Sequence, residues 1–331
     1  HAFTAHSVEF DERPYVEAVV AQTQVRHTWA DLSDENLMAS ADGMFQRLDE
    51  PLHSLGPFAG YLVFAAARAA GVTVLLNGQG ADETQAGYST FAGPVLARLL
   101  QTGRLRDMWR SGRADSTSLR SWLAVAVSAL PADVRAALRG LRHARGIDPG
   151  LIDRGLDVSP PPIPRSPGDG TAADALWQAT TRSPLPLFLR VEDRISMAHS
   201  REARLPFLDP GVIAVARTLP CHMVRRDGLN KWAQREALRG ILPELVRERR
   251  DKMGFPVPAG RWLRGPLRPV FDDALDTTRL RGRGLYDVAK VERARDAFLA
   301  SDALVPPAAL YRVFLFEAWA RRHIDVGLRS A

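Results

Sequence analysis

Cysteine is almost absent: Cys221 is alone among 331 residues. One thiol excludes an internal disulfide framework and suits a reducing cytoplasm, where the chain is expected to work. Long apolar runs are also missing. None reaches the length that spans a bilayer, so a membrane protein is not expected. The eight histidines are scattered without the spacing of metal ligands, which argues against a zinc site. Acidic residues fall short of basic ones, giving +6 net charge and a pI near 9.9. No aromatic-interleaved basic stripe and no recognition-helix pattern accompanies that excess. The arginines therefore read as a solvated face, and nucleic acid is not an expected partner. No signal peptide is expected either. The sequence starts at His1, inside what reads as a strand, and is expected to be a fragment or a processed chain. What is present, 46% hydrophobic and 25% charged residues, supports a real core in one large or two medium domains.

The most informative stretch is Val72–Tyr88, VTVLLNGQGADETQAGY. Val72, Val74, Leu75 and Leu76 form a short β-branched and aliphatic run that reads as a buried strand of a parallel sheet. Gly78 and Gly80 close it, permitting a sharp turn and close approach of a ligand to the backbone. Asp82 and Glu83 follow, then Gly87. Ahead of the strand, Pro57–Ala70 reads as a helix with proline in its first turn and Gly71 at its C′ position. A helix, a buried strand, a glycine loop and two carboxylates describe an α/β crossover ending in an acidic crevice. Ligands of open α/β sheets bind at that carboxyl end, and carboxylates there often hold a divalent cation on a phosphate.

Elsewhere the pattern alternates at first. Ala2–His6 and Val25–Trp29 read as strands, and 11–23 and Ser33–Leu48 as helices, the first with acids in its opening turn. This alternation predicts a doubly wound parallel sheet. After Tyr88 the strand signals fade. Phe91–Gln101, Leu105–Arg110, Leu119–Leu130 and Ala132–Leu141 read as helices, and Val158–Gly170 as a Pro/Gly-rich linker or loop. Ser111–Ser116, SGRADS, looks like a phosphate loop, but Arg113 stands where a bare backbone is needed and no strand precedes it. It reads as a polar turn between helices. From Ala172 the chain is helical again. In Leu185–Ser200, Leu189, Ile195 and Met197 belong to an apolar stripe. Arg190, Asp193, Arg194 and Met197 share a face by their spacing. Asp209-Pro210 signals a helix start, and Asn230 is the candidate cap of a helix opening at Lys231. Lys231 opposes the helix dipole, so either it is solvated beside an acid or it and the helix N-terminus bind one anion. A short helix is expected at 242–249, and helices near 288–300 and 308–322. Cys221 reads as a small buried residue. The expected organisation is 1–100 for the α/β sheet, 101–170 for a variable helical region and 171–331 for helices that complete the site.

Four segments in order, NGQGADETQAGY, LRVEDRISMAHSREARLPFLD, NKWAQREAL and RRDKMGFPVP, resemble the C-terminal synthetase domain of glutamine-dependent asparagine synthetases. The likeness covers nearly the whole chain and is weakest near 100–170. It implies an ATP-pyrophosphatase-type sheet, of the adenine nucleotide α-hydrolase, Rossmann-like kind, with a largely helical C-terminal half. It also implies the reaction: ATP adenylates a carboxylate, that of aspartate, pyrophosphate leaves, and ammonia derived from glutamine yields asparagine and AMP. By that resemblance Asn77, Gly78 and Gly80 contact ATP, and Ala5 lies near the adenine. Asp82 holds Mg²⁺ on the pyrophosphate. Lys231 stands near the departing pyrophosphate, and Lys252 steadies the α-phosphate and reacting acyl centre. Asp193, Glu202 and Arg204 line or brace the acceptor side. A divalent ion and two fixed lysines would offset the repulsion between a carboxylate and a polyanion.

The sequence departs from the family pattern in two places. The family glutamate that takes the amine's proton is Gln79 here, and an amide cannot take a proton at neutral pH. Either Glu83 or a phosphate oxygen does so, or the acceptor amine differs. This keeps open a β-lactam synthetase-like or lasso-peptide cyclase-like ligase, or an inactive relic that acts only in assembly. The Ser-Gly-Gly-x-Asp-Ser phosphate loop, expected ahead of Ala2, and the glutaminase domain with its N-terminal cysteine are also missing. Both are expected partners in cis or on another chain, and a homodimer is compatible. Cys221 has no free α-amino group and cannot replace that nucleophile.

Overall fold

The computed structural model describes residues 1–114, 127, 151, 172–251, 254 and 256–325. β1 (Ala2–Ala5) and β2 (His27–Ala30) pair in parallel, Ala5 beside Ala30, with α1 (Arg13–Thr23) as their crossover. Asp11 and Glu12 precede the first turn of α1 instead of occupying it. Asp11 accepts the Arg13 backbone N–H at 3.0 Å. α2 (Asp34–Gln46) starts at Ser33, whose hydroxyl accepts from the Asn36 N–H. α3 (Gly56–Ala69) buries Phe58, Tyr61, Leu62 and Phe64 and is followed by Gly71 at φ +71°.

β3 (Val74–Leu76) pairs in parallel with β4 (Glu202–Arg204), Val74 beside Glu202 and Leu76 beside Arg204. The strand expected to be buried is half-buried on one face and exposed on the other. Leu75 and Ala203 pack on the core, whereas Val74 and Leu76 are 38% and 74% exposed. β4 is the one strand beside β3 among the described residues, and successive side chains alternate faces. β5 (Arg225–Arg226) and β6 (Leu229–Asn230) form a hairpin whose turn residues, Asp227 and Gly228, both have positive φ, as a tight two-residue turn requires. The described strands thus make two separate parallel pairs and a hairpin, not one continuous doubly wound sheet.

The remaining helices are α4 (Ala81–Thr84), α5 (Ala92–Gln101), α6 (Leu105–Ala114), α7 (Ala172–Thr181), α8 (Leu185–Met197) and α9 (Pro210–Thr218). After these come α10 (Cys221–Val224), α11 (Trp232–Ala237), α12 (Glu244–Arg247), α13 (Ala259–Arg264), α14 (Arg268–Ala274), α15 (Thr277–Arg283), α16 (Val288–Leu299) and α17 (Ala308–His323). Residues 111–114 of the SGRADS stretch continue α6 instead of forming a turn. The helices expected at 119–130 and 132–141, apart from residue 127, and the Pro/Gly-rich 158–170 lie outside the described residues. No described helix is long and apolar enough to cross a membrane.

One core joins α2 and α3 to α13–α17, with Phe45 edge-on to Phe58 and Phe271 edge-on to Phe314 at centroid distances of 5.6 and 5.2 Å. A smaller core gathers Val95, Leu96 and Leu99 of α5, Ala172 and Ala179 of α7, and Val224 of α10. The loop after β3 and α4 follow directly from the strand that the larger core holds in place.

Candidate functional site

The site is built on the carboxyl end of β3. The Asn77 N–H donates to the Arg204 carbonyl at 2.8 Å, which carries the strand pairing one residue further. The Asn77 side chain then turns back. Its Oδ1 accepts the Gln79 N–H at 3.1 Å, and its Nδ2 donates to the Glu192 carboxylate. Gly80 has φ +91°, and a Cβ there would lie 2.2 Å from Cδ2 of Leu208. The positive φ favours glycine, and the turn it makes leads into α4, where Asp82 falls in the first turn.

Asp82 is held from two sides. Gly87 packs flat against it: its N–H donates to the Asp82 carbonyl at 2.9 Å, and an added Cβ would sit 1.7 Å from Asp82 Oδ1. On the other side Lys231 Nζ lies 2.9 Å from the same oxygen, both side chains being about one-fifth exposed (22% and 18%). The expectation that Asn230 caps the helix is corrected here. Lys231 itself occupies the cap position, in the left-handed region at φ +50°. Asn230 is buried because its side chain has other partners. Its Nδ2 donates to the Gly87 carbonyl at 2.7 Å, and its Oδ1 accepts from Arg235 at 2.6 Å. Arg235 also donates to the Asn230 carbonyl at 2.7 Å. Asp82, Gly87, Asn230 and Lys231 therefore form a closed frame, with Arg235 bracing its outer side. Behind it lies a cavity of about 210 Å³ bordered by Lys231, Gln234, Arg235, Arg247 and Arg249.

The other expected residues are placed as follows. Glu83 is 1% exposed, and its carboxylate accepts the Tyr88 hydroxyl at 2.7 Å. Burial, then that bond, pushes the tyrosine pKa up. Gly78 is exposed with open space around it. Glu202 and Arg204 pair at 2.8 Å on the exposed face of β4. Asp193 points to solvent, 3.8 Å from Arg194, on the α8 face that Arg190, Arg194 and Met197 share. Met197 is 55% exposed and belongs to that face, not to the apolar stripe. Ala5 ends β1, in the other parallel pair, against the core. Lys252 lies outside the described residues. Next to it Asp251 pairs with Arg249 at 2.8 Å, and Arg249 also reaches Glu12 at 2.6 Å. Cys221 is half-buried, and burial raises its thiol pKa.

One residue was missed at the sequence level. Glu192, beside Asp193, is 6% exposed and lies under the glycine loop. Burial pushes its carboxyl pKa up to about 7, with a hydrogen bond from Gln79 pulling the other way. Helical phase held the signal: Glu192 is seven residues after buried Leu185 and three before buried Ile195, so it faces inward.

Among the described residues no group of three His, Cys, Asp or Glu side chains could hold a metal by itself. Asp82 alone still suits magnesium, which is commonly bound through one or two carboxylates plus the oxygens of a substrate phosphate.

A glycine loop at the end of a parallel strand, closed by a carboxylate and a lysine, belongs here to a mixed α/β protein. The chain belongs to the asparagine synthase family, whose model matches residues 1–321. A protein of Mycobacterium bovis named putative asparagine synthetase [glutamine-hydrolyzing] is 31% identical over 289 residues, covering 82% of this chain and 42% of the relative. The counterpart in Mycobacterium tuberculosis matches to the same extent. Asparagine synthetase [glutamine-hydrolyzing] 1 of Bacillus subtilis is 43% identical over 75 residues, which is 23% of this chain and 12% of that protein. The chain thus spans 42% of the length of the mycobacterial relatives.

Proposed function

We propose that this chain is the synthetase part of an ATP-dependent amide-forming ligase. A carboxylate, that of aspartate, attacks the α-phosphate of ATP, pyrophosphate leaves, and an amine displaces AMP from the acyl-adenylate. The observation that carries this reading is the Asp82–Lys231 pair, locked beside a glycine loop at the end of β3. Adenylation joins two anions, so its barrier is largely repulsive, and fixed positive charge in a partly desolvated site lowers it. Lys231 would move from Asp82 to the departing pyrophosphate. Asp82, relieved of it, would hold magnesium, which when bound neutralises phosphate charge. Asn77, Gly78 and Gly80 would offer the backbone to ATP, Ala5 would border the adenine, and Lys252 would stabilise the α-phosphate. Glu202 and Arg204 would brace the acceptor, with Asp193 near them.

The two parallel pairs would be parts of one doubly wound sheet. The open face of Val74 and Leu76 supports this, since an apolar strand face of that kind calls for a cover. The segment that completes it would bring the phosphate loop, in cis or on another chain, alongside a glutaminase domain that supplies ammonia. On this reading 1–100 contributes the sheet, 101–170 a variable helical region and 171–331 the helices that close the site. The protein would act in the cytoplasm, with a homodimer compatible.

ATP–pyrophosphate exchange in the complete protein tests the reading. Aspartate should stimulate exchange, Asp82→Asn should weaken magnesium-dependent ATP binding at least tenfold, and Lys252→Ala should abolish AMP formation with the fold intact. Exchange that ignores every carboxylate offered would sink it. Gln79 favours one second reading, a ligase that closes a ring with an internal amine. Mass spectrometry of the products from ATP, aspartate and ammonia separates the two.

A further inference from the structure

The ligase reading leaves one proton without a destination. When an amine nitrogen bonds to the acyl carbon, the carbon–oxygen bond to AMP breaks and AMP leaves with the electron pair. One N–H proton must then go to a base. Gln79 occupies the natural position for that base and is an amide.

The carboxylates around the strand end differ in what holds them. Asp82 is paired with Lys231. Glu83 turns inward and takes the Tyr88 hydroxyl. Glu202 is paired with Arg204 in solvent, and Asp193 lies on the outer face of α8 beside Arg194. Glu192 is both buried and bonded to neutral amides, those of Asn77 and Gln79. Those amides belong to the loop that ends β3, so its carboxylate lies against that loop. Among the described residues no cation pairs with it, and a base that titrates near neutrality suits proton transfer at cellular pH.

We propose that Glu192 is the proton acceptor of the amide-forming step, with the carboxamide of Gln79 presenting the amine to it. The loop glutamine and the helix glutamate would together do what one loop glutamate does alone. The inference rests on the ligase reading above, and the two can fail separately.

The test uses the complete protein and the isosteric Glu192→Gln, which keeps an acceptor for the Asn77 amide. Two reactions are followed: aspartate-stimulated ATP–pyrophosphate exchange, which needs no amine, and amide formation from ammonium or from hydroxylamine. Hydroxylamine is already unprotonated near neutral pH and needs less help. Exchange should stay within about twofold, ammonium-dependent amide formation should fall about 100-fold or more, and hydroxamate formation should fall less than about tenfold. Glu192→Asp, which keeps a carboxylate, should recover part of the ammonium reaction. Equal loss of exchange and amide formation in both variants would mean a structural role and overturn the proposal. Full ammonium activity in Glu192→Gln would do the same. A wild-type protein without exchange would bring down the ligase reading and this inference with it.

Discussion

Gly87 shows how little room a single residue has at this rim. Its missing side chain is the space that Asp82 occupies, down to 2.8 Å from the Asp82 Cα, so a methyl group cannot be absorbed by rotating the carboxylate alone. Gly87→Ala should cost about 1–3 kcal/mol in chemical denaturation. It should also weaken magnesium–ATP binding by calorimetry, because the Asp82–Lys231 pair must shift. Glu192 makes the opposite argument, since its ionised form is the poorly housed one. Its folded-state pKa near 7 lies above the ordinary 4.5. The stability carried by its protonated form is complete below about 4.5 and is lost as pH rises through about 7. Asn77 and Gln79, which face it from the loop, are neutral and do not reverse the sign. Glu192→Gln cannot ionise, so it should match wild type near about pH 4 and exceed it by roughly 3 kcal/mol near about pH 9. Urea midpoints at the two pH values measure this, and a constant difference would contradict it.

Among the elements, α11 begins in an unusual way. The residue ahead of it is a lysine with left-handed backbone, a conformation that costs an L-residue about 1–2 kcal/mol and glycine almost nothing. The bonds from Asn230 and Arg235 hold it there, aiming its ammonium at Asp82. Lys231→Gly should therefore be more stable than Lys231→Ala by about 1 kcal/mol, less what the freer unfolded chain takes back, while both lose the adenylation reaction. Thermal denaturation beside exchange kinetics separates the two effects. The same element explains what could be read in advance. The glycine loop, the strand before it and the lysine were legible because backbone freedom, β-branching and an out-of-place charge are local properties. The frame around Lys231 was not, because Asn230 looks like any cap until Gly87, 143 residues away in sequence, offers its carbonyl. β4 was missed for the same reason: Glu-Ala-Arg has no strand character, and it is extended because β3 accepts and donates along it. Glu192 was passed over for its neighbour Asp193 although its helical phase marked it as buried. α13–α15 are short helices interrupted by glycine and proline, which hides their period.

At the scale of the whole molecule, the site is carried by elements from both ends of the sequence. α3 and α8 pack on each other beneath the sheet pairs, and the core that holds α3 is closed by α14, α16 and α17. Phe314 of α17 is fully buried and meets Phe45 of α2 at 6.5 Å and Phe271 of α14 at 5.2 Å. Buried polar groups reinforce the same closure: Glu317, 1% exposed, accepts from Arg283 and from the Tyr286 hydroxyl, each at 2.8 Å. A chain whose two ends share one set of aromatic contacts cannot lose either end and keep the other. Phe314→Ala should thus cost about 3–5 kcal/mol. The loss should appear in one transition, with far-ultraviolet dichroism and tryptophan fluorescence superimposing, because Trp262 of α13 and Trp319 of α17 line the same core. Two separate transitions, one sparing nucleotide binding at the β3 rim, would show that the C-terminal helices fold by themselves and that the rim does not depend on them.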